Sequence, residues 1–130
     1  MSGAQASGKA SILIIDDDDL VRATLKVALE DAGYHVREAA DGEEGVAQFR
    51  TAPADLVLCD IFMPGMEGIE TIRMLRQRRA SVPIIVISGG GSRGEMSFLE
   101  AAKKLGANDG LAKPFGMSEV VLMVQRYLPI

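Results

Sequence analysis

The sequence predicts an α/β fold, a doubly wound parallel sheet with helices on both faces. Three observations carry this. Apolar runs of strand length alternate five times with segments whose apolar residues recur at helical spacing. The runs at 12–15, 56–59 and 84–87 are apolar throughout, as strands covered on both faces require, whereas half-buried strands would alternate. The polar residues capable of chemistry follow directly on those runs, outside the carboxyl ends of the strands, where such sheets gather their functional groups.

In order along the chain, residues 1–10 are small, polar and rich in Gly and Ser, and predict a flexible N-terminal tail before a folded unit at 11–130. The first strand, 12–15, runs into four consecutive aspartates, Asp16 to Asp19. From Leu20 the period changes: Val21, Leu25, Ala28 and Leu29 share a helical face, Asp18 or Asp19 suits the N-cap, and Gly33 stops the helix. Residues 34–38 alternate weakly and predict an edge strand, and a helix over 42–50 turns Val46 and Phe49 inward.

The third strand ends in Asp60, and Met63-Pro64-Gly65 then breaks the chain before a helix with Ile69, Ile72 and Leu75 on one stripe. Pro83 opens the fourth strand, 84–87; Ser88 closes it and Gly89-Gly90-Gly91 follows. A helix carrying Met96, Leu99 and Leu105 is expected to end at Gly106. A short fifth strand, 109–112, precedes Lys113-Pro114-Phe115, and a last helix carries Val120, Val124 and Tyr127.

Composition bounds the function. A chain of 130 residues with 48% hydrophobic and 25% charged residues is one ordinary globular domain. Its net charge of −4 argues against nucleic acid as a direct partner. One cysteine rules out an internal disulfide framework and suits a reducing compartment. The N-terminal residues lack an apolar h-region and no run is long enough to span a bilayer. A cytoplasmic protein with no membrane insertion is expected.

The strand ends carry Asp16 and Asp17, Asp60, Ser88 and Lys113. A carboxylate ending a buried strand is costly unless it is paired or binds a cation. Three carboxylates in one small volume repel each other, and proton uptake or cation binding must relieve this. Oxygen-only ligands favour Mg²⁺, Mn²⁺ or Ca²⁺ over zinc. A lysine and a hydroxyl beside such an ion are donors for a phosphoryl group. With no His or Cys at the site, the remaining nucleophile is a carboxylate, for which aspartyl-phosphate formation is known chemistry.

The motifs IIDDDDLVR, DLVLCDIFMPGMEGIE, PIIVISG and GANDGLAKPF, in this order and covering residues 11–130, resemble a response-regulator receiver domain of two-component signalling, in the CheY-like superfamily. The resemblance implies a flavodoxin-like sheet of five parallel strands in the order 2-1-3-4-5. It implies that Asp60 is the phosphoacceptor, receiving phosphoryl from a phosphohistidine on a sensor histidine kinase or a histidine phosphotransfer protein. Asp17, Asp60 and the backbone carbonyl of Phe62 would hold Mg²⁺ (or Mn²⁺), with Asp16 acting through water. Ser88 would bond a phosphoryl oxygen, Lys113 would pair with its charge, and the Lys113–Pro114 bond is expected to be cis. The output would be altered binding to a downstream protein that the sequence does not name. The chain would then be a signalling switch that catalyses its own phosphorylation and slow dephosphorylation, without being an enzyme for another substrate.

Two departures stand out. Gly110 occupies the position where that family usually has Tyr or Phe, and Tyr127 is not an obvious replacement. The segment between Ser88 and Lys113 is a few residues long, with the excess in GGGSRGE, so this loop is expected to report phosphorylation in place of an aromatic side chain. Phe62 and Gly90, two residues beyond Asp60 and Ser88, cannot orient water through their side chains, which predicts slow self-dephosphorylation.

Other readings weigh less. Gly89, Gly91 and Gly94 fit G-x-G-x-x-G, but after the fourth strand and with no second mononucleotide-binding half, so a loop is expected there. A dehalogenase-type phosphatase needs an aspartate where Phe62 stands. A pseudo-receiver that only binds partners, a relay carrier that passes phosphoryl onward, and a fragment of a longer protein remain as alternatives. Asp18 and Asp19 are expected to cap or be solvated, Cys59 to be a small buried hydrophobe, His35 to be a surface residue, and Arg76 to Arg79 to be a solvated helix end.

Overall fold

The computed structural model describes residues 8–61, 68–79, 81–88, 100, 103, 104 and 106–130. The five apolar runs become five parallel strands, β1 (Ser11–Ile15), β2 (His35–Ala39), β3 (Leu56–Asp60), β4 (Ile84–Ser88) and β5 (Asp109–Ala112), in the order β2-β1-β3-β4-β5. Among the described residues four helices cover the sheet: α1 (Asp19–Asp31), α2 (Gly42–Thr51), α3 (Gly68–Arg78) and α4 (Met117–Tyr127). The expected helix with Met96, Leu99 and Leu105, the 89–95 loop and Phe62 lie outside the described residues. No described helix is long and apolar enough to cross a membrane.

Each strand deals its side chains alternately to two separate cores. Leu13, Ile15, Val57, Cys59, Ile84 and Val86 pack with Phe49 of α2 and with Ile72 and Leu75 of α3. Ile12, Ile14, Leu56, Leu58, Ile85 and Ile87 pack with Leu25 and Leu29 of α1 and with Val120 and Val124 of α4. β1, β3 and β4 are buried along their whole length, whereas β2 and β5 form the edges. His35 begins the β2 edge and is exposed, as expected.

Local chemistry sets the element ends. Asp18 caps α1, its Oδ1 accepting from the amides of Leu20 (2.9 Å) and Val21 (3.1 Å), a contact worth about 1 kcal/mol. Gly33, at φ +111°, ends that helix. β2 starts one residue later than its alternation suggests, because the Tyr34 amide still bonds the Leu29 carbonyl (3.1 Å) and the Tyr34 hydroxyl donates to the Leu128 carbonyl (2.6 Å). Asp41 caps α2 through the Glu44 amide at 2.8 Å.

The end of α3 departs from expectation. Arg76 is half-buried, and its guanidinium donates to the carbonyls of Val82 and Gly106 and to Asn108 Oδ1 at 2.7 Å. Asn108 Oδ1 also accepts from the Ile84 amide at 2.9 Å. Arg76 therefore ties the end of α3 to the starts of β4 and β5, while Arg78 and Arg79 are exposed as expected. A helical dipole argument sees only a cation at a negative end. The carbonyls that hold Arg76 come from the far end of the sheet in sequence.

Gly68 sets how closely α3 approaches β3. A Cβ there would sit 2.3 Å from the Asp60 carbonyl oxygen and 2.5 Å from Ile61 Cα, both main-chain atoms that cannot step aside. Gly68→Ala is expected to destabilise the fold by about 1–3 kcal/mol, the usual cost of forcing extra volume into a packed interior. Urea unfolding midpoints check it, and an unchanged midpoint contradicts it.

Candidate functional site

Backbone register assembles the site before any side chain is considered. Ile15 is level with Cys59, so Asp16 stands abreast of Asp60; Asp60 is level with Ile87, so Ser88 is one step beyond; Ser88 is level with Ala112, so Lys113 is one step further. The rim is stitched by the Asp16 amide on the Ala39 carbonyl (3.1 Å), Ile61 on Ile87 (3.0 Å) and Lys113 on Ser88 (2.8 Å). Four strand ends thus deliver their polar residues to one edge of the sheet.

Strand alternation gives Asp16 and Asp60 the same parity as Ile12, Ile14, Leu56 and Leu58, on the face covered by α1 and α4. One carboxylate oxygen each from Asp16, Asp17 and Asp60 lies within 4.8 Å of the others. Asp16 is fully buried and Asp60 is 4% exposed, while Asp17 faces solvent. Asp18 is absent from this group because its carboxylate is spent on the α1 cap, and Asp19 is exposed and paired with Arg22.

Asp16 is the strained member. Its Oδ1 accepts from the Asp18 amide at 2.9 Å. Its Oδ2 is buried with no hydrogen-bond partner among the described residues, and the closest cation is Lys113 Nζ at 3.8 Å. Burial pushes the Asp16 carboxyl above the usual range. The Asp18 amide and Lys113 oppose that rise, and the charges of Asp17 and Asp18 add to it. A buried carboxylate oxygen lacking a donor, in an all-oxygen cluster, is chemically suited to a hard divalent cation such as Mg²⁺.

Ser88 is buried at the next strand end, and its hydroxyl also has no partner among the described residues. By alternation it shares parity with Ile84 and Val86, on the opposite face from Asp60, so it adjoins the acid cluster without joining it. Lys113 is partly exposed and the Lys113–Pro114 bond is cis, as expected. Phe62, the other expected ligand, is outside the described residues. Cys59 is fully buried, and burial beside Asp60 and Asp16 pushes its thiol far up, which keeps it protonated and inert.

Gly110 sits in β5 beside Val86. Tyr127 does not replace a ring there: its hydroxyl bonds Asp109 Oδ2 at 2.9 Å, at the first residue of β5 and away from the rim. Beside Lys113 an apolar groove of about 340 Å³ opens between α1 and α4, lined by Leu20, Val21, Pro114, Phe115 and Met117. Leu20, at its edge, is 75% exposed.

Comparison with known proteins settles the family. The family model described as "Response regulator receiver domain" matches residues 12–125. The chain belongs to the response regulator receiver domains. The transcriptional regulatory protein ResD of Bacillus subtilis is 36% identical over 122 residues, covering 94% of this chain and 49% of that protein. Sporulation initiation phosphotransferase F of the same organism is 33% identical over 119 residues, covering 92% of this chain and 94% of that protein. The chemotaxis protein CheY4 of Vibrio cholerae superposes with a TM-score of 0.83 at 31% identity, covering 92% and 98% of the two chains. This receiver spans about half the length of several curated relatives it matches. Response regulator receiver domains are signalling modules of two-component systems.

Sequence reasoning missed Arg22 and Glu38. Arg22 reaches from the first turn of α1 to the Asp16 carbonyl at 2.6 Å, and Glu38, near the end of β2, accepts from Arg22 Nε at 3.2 Å. The available signal was an arginine six residues after Asp16, one turn into a helix that starts at the acid run.

The raised Asp16 pKa has a definite consequence for the metal-free receiver. A group whose folded pKa exceeds its unfolded value favours folding only while protonated, and that advantage is lost as pH rises through the folded value. Asp16→Asn is expected to stabilise the metal-free protein at neutral pH by about 1–3 kcal/mol, the scale of a buried polar group lacking its partner. Its advantage over wild type should shrink in mild acid. Urea unfolding in chelator at both pH values checks this, and a variant less stable at neutral pH contradicts it.

Proposed function

We propose that this receiver is a phosphorylation switch in which Asp60 accepts a phosphoryl group from a phosphohistidine, in a step that depends on Mg²⁺, with Mn²⁺ able to substitute. The working unit is residues 11–130. The observation that carries the reading is the convergence of the Asp16, Asp17 and Asp60 carboxylates within 4.8 Å, with Lys113 Nζ 3.8 Å from Asp16. Such a cluster is costly to keep empty and suited to phosphoryl transfer when filled.

In the transfer, the P–N bond to the donor histidine breaks as a P–O bond forms to a carboxylate oxygen of Asp60, giving an acyl phosphate and releasing the imidazole. Asp17 and Asp60 would hold the metal directly, with Asp16 acting through water and the Phe62 carbonyl as a further ligand. When bound, the ion neutralises the charge of the transferring oxygens. Lys113 pairs with a phosphoryl oxygen and, in doing so, gives up part of its attraction to Asp16. The Ser88 hydroxyl, buried and with no partner among the described residues, donates to another phosphoryl oxygen once it turns across the strand end.

The donor is a sensor histidine kinase or a histidine phosphotransfer protein. The apolar groove beside Lys113 supports a protein donor, since an exposed Leu20 at the rim of a charged site is surface that a partner can cover. Phosphorylation then alters binding to a target protein, and the setting is cytoplasmic. A second reading, a relay carrier that hands phosphoryl to a phosphotransfer protein, is favoured by the match to nearly the full length of sporulation initiation phosphotransferase F.

Intact mass after incubation with a small acyl phosphate is expected to rise by one phosphoryl group with Mg²⁺ and not without it, and Asp60→Ala should abolish the gain. No gain with any donor favours a pseudo-receiver that only binds partners. Self-dephosphorylation is expected to be slow, and Phe62→Asn to speed it several-fold by giving water a hydrogen-bonding guide. Loss of the phosphorylated mass with time checks this, and an unchanged rate counts against it.

A further inference from the structure

The Asp16–Asp17 turn must hold two carboxylates toward Asp60 although all three repel one another. Its main chain is held on the β2 side by the Asp16 amide bond to the Ala39 carbonyl. The Asp16 side chain folds back onto the Asp18 amide. A further anchor is Arg22: Nη1 donates to the Asp16 carbonyl at 2.6 Å, Nε donates to Glu38 Oε1 at 3.2 Å, and Nη2 donates to Asp19 Oδ1.

One planar guanidinium thus joins the β1–α1 turn, the first turn of α1 and the end of β2. Its side chain is only 13% exposed, so these bonds are partly shielded from water. At the acid run Arg22 bonds the main-chain carbonyl of Asp16, behind its carboxylate. Glu38 is shared with Lys26 Nζ at 3.7 Å and is two-thirds covered, which fixes the far end of the brace.

From this geometry we propose that Arg22, held by Glu38, is a positioning residue for divalent-metal binding: it fixes the Asp16–Asp17 turn so that the two carboxylates face Asp60. The inference rests on the metal-site reading above. Its chemistry requires the fork of arginine, because three acceptors on three segments are each met by a different guanidinium nitrogen. A lysine ammonium keeps the charge but cannot bridge the Asp16 carbonyl and Glu38 with the same geometry.

Outer hydrogen-bond partners of metal ligands typically account for about 10–100-fold in metal affinity. Arg22→Lys is therefore expected to weaken Mg²⁺ binding about tenfold, and Glu38→Gln to weaken it less but in the same direction. Mg²⁺ titration of the full chain by calorimetry, with amide shifts near Asp60 as a second readout, measures both. The rate of phosphorylation by a small acyl phosphate should recover at high Mg²⁺ in either variant, a shift in metal requirement that a general loss of stability does not produce.

Wild-type affinity in Arg22→Lys, with the variant folded, overturns the proposal, as does tighter binding, which would mean that the cation acts mainly by repelling the metal. If Arg22→Lys does not fold, the ordering of Glu38→Gln against wild type decides by the same criterion. Wild-type protein that binds no Mg²⁺ overturns the metal-site reading itself and this inference with it.

Discussion

The crowding of three carboxylates at one rim of the sheet is the constraint on which the rest of this receiver depends. At about 4 Å two like charges cost roughly 1 kcal/mol in water and roughly 4 kcal/mol at the effective dielectric of a protein surface. Asp16 and Asp60 are buried, so water relieves little of that repulsion. Left to themselves these side chains would separate. They stay together because the main chain beneath them is locked: Asp16 follows a strand buried on both faces, and Asp60 ends the neighbouring one in fixed register.

The two ends of the sheet are built differently. At the amino end, polar groups are paired off completely enough to act as fasteners. Asp55 accepts from the Ser11 amide at 2.8 Å, Arg76 collects carbonyls around Gly106 and Val82, and Tyr127 closes on Asp109. At the carboxyl end, two buried polar atoms have no hydrogen-bond partner among the described residues: Asp16 Oδ2 and the Ser88 hydroxyl. Among the described residues, the buried polar atoms lacking a partner thus lie at the one end of the sheet that carries the acid cluster.

Much of this was legible in the sequence. Continuous apolar runs at 12–15, 56–59 and 84–87 announce strands covered on both faces, and Asp16, Asp60 and Ser88 announce themselves by following such runs. The Asp18 cap was also readable, because capping is a contact between near neighbours in the chain. Arg76 and Arg22 were not. Each looks like an ordinary helical cation, and each is defined by carbonyls that other segments bring to it. The parity of Ser88, on the opposite face from Asp60, likewise needs the register of both strands and not the composition of either.

The sequence by itself determined which residues end the buried strands, since apolar burial and turn chemistry act over a few residues. Its motifs, by resemblance, further supplied the strand order. The tertiary structure alone decided that three of those carboxylates come within 4.8 Å, that one Asp16 oxygen has no donor among the described residues, and that Arg22 bonds the turn from behind. The physical reason is the same in each case. A distance between side chains far apart in the chain depends on strand register and on packing from both faces, and neither is written in any one segment.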